Sequence, residues 1–211
     1  MAGTFSGHYH YIYMNPTHTP QEIEKHPWEP FIPANARILI MGTFPPKPVR
    51  WSMDFYYPNK INDFWRIMGL IFHDSKDFFI DPATGLFQLP AIKDMLEDKG
   101  IALNDTGAEV RRLKDNASDK FLEIIRPVDL KTLLEKMPHC NAVATTGEKA
   151  AGVIATLTDT PMPKMGQCLS CLFHGHTLNI YRMPSTSRAY PMALDKKAEF
   201  YAGMFRAEGI L

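Results

Sequence analysis

The apolar and polar positions of this chain fall into two alternating periods. Arg37-Ile38-Leu39-Ile40-Met41 is a short apolar run ending at Gly42, as expected of a strand covered on both faces. From about Lys60 to Phe72 the period lengthens. Ile61, Phe64, Trp65, Met68, Ile71 and Phe72 recur on one face of a helix for which Asn59 offers an N-cap. Leu89 to Lys99 predicts the next helix, closed by Gly100 where a left-handed residue is favoured. Ile101-Ala102-Leu103 then reads as a short extended piece before Asn104-Asp105. Ser118 is placed to cap a short helix through Ile125, and Asp129 another through Met137. Asn141 to Thr146 predicts a second strand, followed by Gly147 and a helix through about Leu157. Leu178 to Met183 predicts a third, followed by a Ser-rich turn and a last helix carrying Leu194, Ala198, Tyr201 and Phe205 at helical spacing.

Strand, turn and helix in repetition is the pattern of a parallel sheet flanked by helices. The expected fold is α/β: a three-layer α/β/α sandwich about a central, mainly parallel, four-stranded sheet, in one domain over residues 36–211. Residues 1–35 are Tyr- and His-rich at first and then broken by Pro16, Pro20, Pro27, Pro30 and Pro33. They read as an N-terminal extension leading into the core along the surface. Sheets of this kind bind ligands outside the carboxyl ends of their strands. The segments leaving Met41 and Met183 are therefore the places to look for chemistry.

Composition narrows the picture only a little. The 211 residues are 45% hydrophobic and 22% charged, the balance of a globular domain. No apolar stretch approaches the roughly 20 residues of a membrane span, and no basic-then-apolar leader opens the chain, so a cytoplasmic setting is expected. Lys plus Arg equals Asp plus Glu at 23 each. A chain that coats nucleic acid would be more basic, so any such contact has to come from one local face. Candidates are Lys47 and Arg50, then Arg111, Arg112 and Lys114, then Arg182 and Arg188. Cys140, Cys168 and Cys171 do not suggest a disulfide framework. Cys168 and Cys171 with His174 and His176 invite a zinc reading, but His-x-His is not the usual ligand spacing, and a hairpin with ordinary side chains is expected. His8 and His10, flanked by Tyr9 and Tyr11, are assigned to a flexible arm.

The two segments at the strand ends are unusual. One runs Gly42-Thr43-Phe44-Pro45-Pro46 and continues to Tyr56-Tyr57-Pro58-Asn59-Lys60-Ile61-Asn62-Asp63-Phe64-Trp65. The other is Met183-Pro184-Ser185-Thr186-Ser187-Arg188-Ala189-Tyr190. Together they resemble the two active-site motifs of the uracil-DNA glycosylase superfamily, most closely its hypoxanthine-DNA glycosylase branch. That branch has a Gly-x-x-Pro turn, a Tyr-Tyr pair, an Asn followed by x-Phe-Trp, and a Pro-Ser-Thr-Ser-Pro-Ala segment. The likeness extends from Ala36 to the last helix.

The resemblance implies hydrolysis of the N-glycosidic bond of a deaminated base, uracil or hypoxanthine, in base-excision repair. The implied partner is DNA carrying such a base, bound by a monomer without metal or organic cofactor. Such an enzyme flips the nucleotide into a pocket that offers an aromatic platform and amide partners. Gly42, Thr43, Phe44, Pro45 and Tyr57 are the base-binding candidates, with Phe44 and Tyr57 as platforms. Asn62 matches the branch's catalytic Asn and is the catalytic candidate; the alternative is an amide that satisfies free N–H groups at a helix start. Ser185, Thr186, Ser187 and Arg188 are the DNA-binding candidates, since small residues admit the backbone and hydroxyls hold phosphates. No Lys stands in either motif to form a Schiff base, so a monofunctional glycosylase is expected.

Two departures from the superfamily matter. Phe44 stands directly before the Pro, where many members have a water-activating Asp or Asn. The second motif lacks the His of several branches and has Arg188-Ala189 where Pro-Ala is usual. Asp54, Asp63 and Asp105 are the carboxylates near enough in sequence to compensate. Two other readings stay open: a catalytically weak module that binds damaged DNA, and a hydrolase of nucleosides or another small ligand.

Overall fold

The structure is a computed structural model describing residues 22–114 and 121–211. His8, Tyr9, His10, Tyr11, Pro16, Pro20 and Ser118 lie outside the described residues. Its elements run β1 (Ile23–Lys25), β2 (Ile38–Gly42), α1 (Phe64–His73), α2 (Leu89–Lys99), β3 (Ile101–Asp105), β4 (Gly107–Arg112), β5 (Leu122–Pro127), α3 (Leu130–Glu135), β6 (Ala142–Thr146), α4 (Glu148–Thr158), β7 (Cys168–Phe173), β8 (His176–Met183) and α5 (Leu194–Ala207).

The main sheet has the order β3-β2-β6-β8-β7. β2 pairs in parallel with both β3 and β6, and β6 in parallel with β8. Every residue of β2, β3 and β6 is buried, as strands covered on both faces must be. Alternate side chains feed opposite layers. Ile38 and Ile40 pack with Phe64, Trp65, Leu96 and Tyr201 beneath α1, α2 and α5. Leu39 and Met41 pack with Leu130, Leu133 and Ile154 beneath α3 and α4. This two-residue alternation between helix layers is the α/β/α sandwich.

The expected four-stranded sheet has five strands. The additional one, β7, lies antiparallel along β8, so the hairpin expected around Cys168 and His176 is present and β7 is its first arm. β1, β4 and β5 make a separate antiparallel sheet of three strands. Here the helix expected through Ile125 is replaced by strand from Leu122 onward. Val110 faces Ile124 across the pair, and alternation with β-branched residues prevails over the weak helical pattern.

The helix expected from Lys60 begins later, at Phe64. Asn59 closes a local turn instead of capping it, its Oδ1 accepting the Ile61 N–H at 3.1 Å, and Ile61 is exposed. At the end of α2, Gly100 has φ of +63° and a Cβ there would meet the Asn35 carbonyl at 2.6 Å, so glycine is required twice over. Residues 22–35 are knit to the domain. β1 joins β4, Phe31 exchanges backbone hydrogen bonds with Leu103, and Trp28 and Phe31 pack on the core. No helix among the described residues is long and apolar enough to cross a membrane.

Candidate active site

A cavity of about 680 Å³ opens at the carboxyl ends of the parallel strands. Its lining includes Gly42, Thr43, Phe44 and Pro45 after β2, and Tyr57 and Asn62 before α1. Ser185, Thr186, Ser187 and Arg188, which follow β8, complete the set of site residues singled out from the sequence. Residues distant in sequence meet here because parallel strands aim all their carboxyl ends one way.

Close packing shapes the floor. A Cβ on Gly42 would lie 2.6 Å from Asp105 Oδ1 and 3.4 Å from the Tyr57 hydroxyl, so only glycine lets that carboxylate approach. The Thr106 N–H and hydroxyl both donate to the Gly42 carbonyl, at 2.9 and 3.1 Å, and fix the turn. Phe44 meets the His26 ring edge-on at 5.4 Å, and the Arg112 guanidinium lies 5.6 Å from its ring centre. Arg112 also donates to Glu24 and to the Pro45 carbonyl, at 2.8 and 2.7 Å. That makes it a brace for the turn, not the outward-facing cation expected from the sequence.

Tyr57 adopts φ of +51°, a conformation costly for a bulky side chain and common at functional sites. Its ring stacks on Phe64 at 3.8 Å, and its hydroxyl hydrogen-bonds the Thr146 hydroxyl at 3.1 Å. Burial, then the charge of Asp105, pushes its phenol pKa well up, which keeps the hydroxyl protonated.

Asn62 lies just before α1, not in its first turn, and forms an antiparallel bridge with Ser187. Its Oδ1 accepts the Phe64 N–H at 2.9 Å, one of the free donors of the helix start. That bond assigns the amide orientation and leaves Nδ2 as a donor. The next residue locks the two motifs together. Asp63 donates its N–H to the Thr186 carbonyl at 2.8 Å, and its carboxylate receives Arg188 at 3.2 Å and Lys197 at 2.9 Å. Lys197 also donates to the Ser187 carbonyl at 2.8 Å.

Of the three carboxylates considered from sequence, Asp54 accepts from the Trp28 indole at 2.7 Å and does not line the cavity. Asp63 is committed to two cations. Asp105 lines the cavity, and its Oδ2 lies 3.0 Å from His26 Nε2. Burial lowers the His26 pKa. The hydrogen bond and charge of Asp105, with the Trp28 carbonyl and the charge of Glu29, outweigh that and leave it above 6.5.

His26 is the residue that sequence reasoning missed. It stands in the Pro-rich stretch far from either motif, and no spacing pointed to it. At the rim, Arg50 and Arg188 are exposed lining residues, Arg188 being also paired with Asp63; Arg111 pairs with Glu123 and Arg182 with Glu148. Cys168 and Cys171 are free thiols on the edge strand β7. Among the described residues, no three His, Cys, Asp or Glu side chains gather in a way that suits a metal ion.

No family model matches the chain, and no curated protein does either. Its fold has a solved counterpart, the solution NMR structure of a "putative Uracil DNA glycosylase" from Methanosarcina acetivorans. The TM-score is 0.61 at 19% identity, over 89% of this chain and 99% of that one. At that identity the likeness establishes the shared α/β fold.

Proposed function

We propose that the protein is a monofunctional DNA glycosylase that hydrolyses the N-glycosidic bond of a deaminated base, uracil or hypoxanthine, in DNA. The observation that carries this reading is the joining of the two motif segments at one cavity through the Asn62–Ser187 bridge. The name of the structural neighbour points the same way.

The cavity suits a flipped nucleotide. Phe44 and Tyr57 supply aromatic surface, and Thr146 adds a hydroxyl beside Tyr57. Breaking the bond from C1′ to the base leaves negative charge on the departing ring. The role assigned to the Asn62 Nδ2–H group, a donor at the cavity, is to polarise the base and stabilise that charge, or to orient the water. At the mouth, Arg50, Arg188 and the hydroxyls of Ser185 and Ser187 offer phosphate contacts. Among the described residues no Lys lines the cavity, and the buried Lys197 amine is engaged by Asp63 and Ser187. Both facts favour water over an amine as nucleophile, so the product is an abasic site.

The test is incubation with duplexes carrying uracil, hypoxanthine or xanthine, followed by alkali. Strand breaks at the lesion support the reading. Binding without breaks supports a damage-binding module, and release of base from free nucleosides with salt-insensitive binding supports a small-ligand hydrolase.

A further inference from the structure

Hydrolysis at this cavity needs an acceptor for the proton of the attacking water. Phe44 provides none. Asn62 cannot serve, because a carboxamide is too weak a base to take a proton from water. Asp63 is held by Arg188 and Lys197, and Glu24 by Arg112.

Asp105 differs from all of these. Among the described residues it is the carboxylate that lines the cavity, and its side chain is 8% exposed. Oδ2 is turned to His26, while Oδ1 stands over Gly42, where the missing Cβ leaves room. A buried carboxylate with one oxygen tied to an imidazole and the other over a glycine is oriented, not merely solvated. Resting on the glycosylase reading, we propose that Asp105 is the general base of this site and His26 its positioning residue.

In the step this assigns, the water oxygen bonds to C1′ and its proton passes to Asp105. The C1′–N bond breaks, and its electron pair leaves with the base. The proton then returns from Asp105 to the departing base or to solvent, so atoms and charge balance. His26 holds the carboxylate by donating from Nε2, while Nδ1 lies within reach of both the N–H and the carbonyl of Trp28, at 3.3 and 2.9 Å. The ring is thereby supported in its neutral and its protonated form. The titratable groups facing this pair are Glu29 on the same segment, Tyr56 stacked at 5.7 Å, and Tyr57.

The experiment is single-turnover base release from a lesion duplex with enzyme in excess, from pH 5.5 to 9, for wild type, Asp105→Asn, His26→Gln and His26→Leu. Asp105→Asn is expected to slow release by about a hundredfold or more while binding to a duplex with a tetrahydrofuran abasic analogue is retained. Wild type should gain rate as pH rises through the His26 titration. His26→Gln, a donor that does not titrate, should lack that dependence yet remain faster than His26→Leu. An Asp105→Asn rate equal to wild type overturns the proposal while leaving the glycosylase reading intact. If Asp105→Asn does not fold, the His26 pair decides, and a His26→Leu enzyme with the wild-type rate and pH profile overturns it. A wild-type protein that releases no base from any lesion overturns the glycosylase reading and this proposal with it.

Discussion

Lys197 is fully buried, and its amine lies 2.9 Å from the carboxylate of Asp63, itself buried beside the catalytic candidate Asn62. A charge on α5 thus holds the turn before α1, and through the Ser187 carbonyl it holds the turn after β8 as well. Removing one partner strands the other in a poor solvent. Lys197→Met is expected to cost about 3–5 kcal/mol in denaturant unfolding, with Asp63→Leu similar. The double variant should recover a large part of that loss, since no buried charge is left unpaired and Arg188, which also pairs with Asp63, is half-exposed to water. Strictly additive costs contradict the coupling.

Gly42 is confined by chemistry more than by backbone. Its Cα faces Asp105 Oδ1, and a methyl group would sit 2.6 Å from that oxygen. Gly42→Ala must therefore displace a carboxylate that His26 holds on its other side. A stability loss of about 1–3 kcal/mol is expected, the range for overpacking, together with a larger loss of base-release activity than thermal melting alone explains. Full activity in Gly42→Ala contradicts the close approach.

His26 ties stability to pH in a definite direction. Its folded pKa is raised above 6.5, so the native state binds the proton more tightly than the unfolded chain. The stabilisation is complete below the unfolded value of about 6.5 and is lost as pH climbs through the higher folded value. Chemical unfolding of wild type and His26→Gln between pH 6 and 9 checks this. The advantage of wild type over His26→Gln should shrink as pH rises, and an advantage that grows contradicts the pairing.

Much of this architecture was legible because it rests on local rules. The buried runs at Ile38 and Ala142, the αL stop at Gly100 and the Asp129 cap, whose carboxylate accepts the Thr132 N–H, follow from period and terminal chemistry. The two motif segments were readable as a pair because parallel strands must deliver both to one end. β5 was not readable, since it needs its partner β4 to fix it, and β7 was legible only as one arm of a hairpin, its bounds being set by β8. The His26–Asp105 pair joins residues 79 apart in the chain, and nothing in either local sequence announces the other. Asn62 shows a further limit. Its oxygen performs the structural task at the helix start, yet its nitrogen remains for chemistry, so the two readings of that residue are compatible.

The most direct measurement is single-turnover release of uracil or hypoxanthine from a duplex by wild type and by Asn62→Ala. The variant loses the Phe64 N–H acceptor, worth about 1 kcal/mol of stability, so it should fold and bind the duplex. Wild type is expected to release the base, and Asn62→Ala to do so about a hundredfold or more slowly, the usual cost of one donor to a developing anion. No release by wild type from either lesion, or equal rates in the two proteins, contradicts the account.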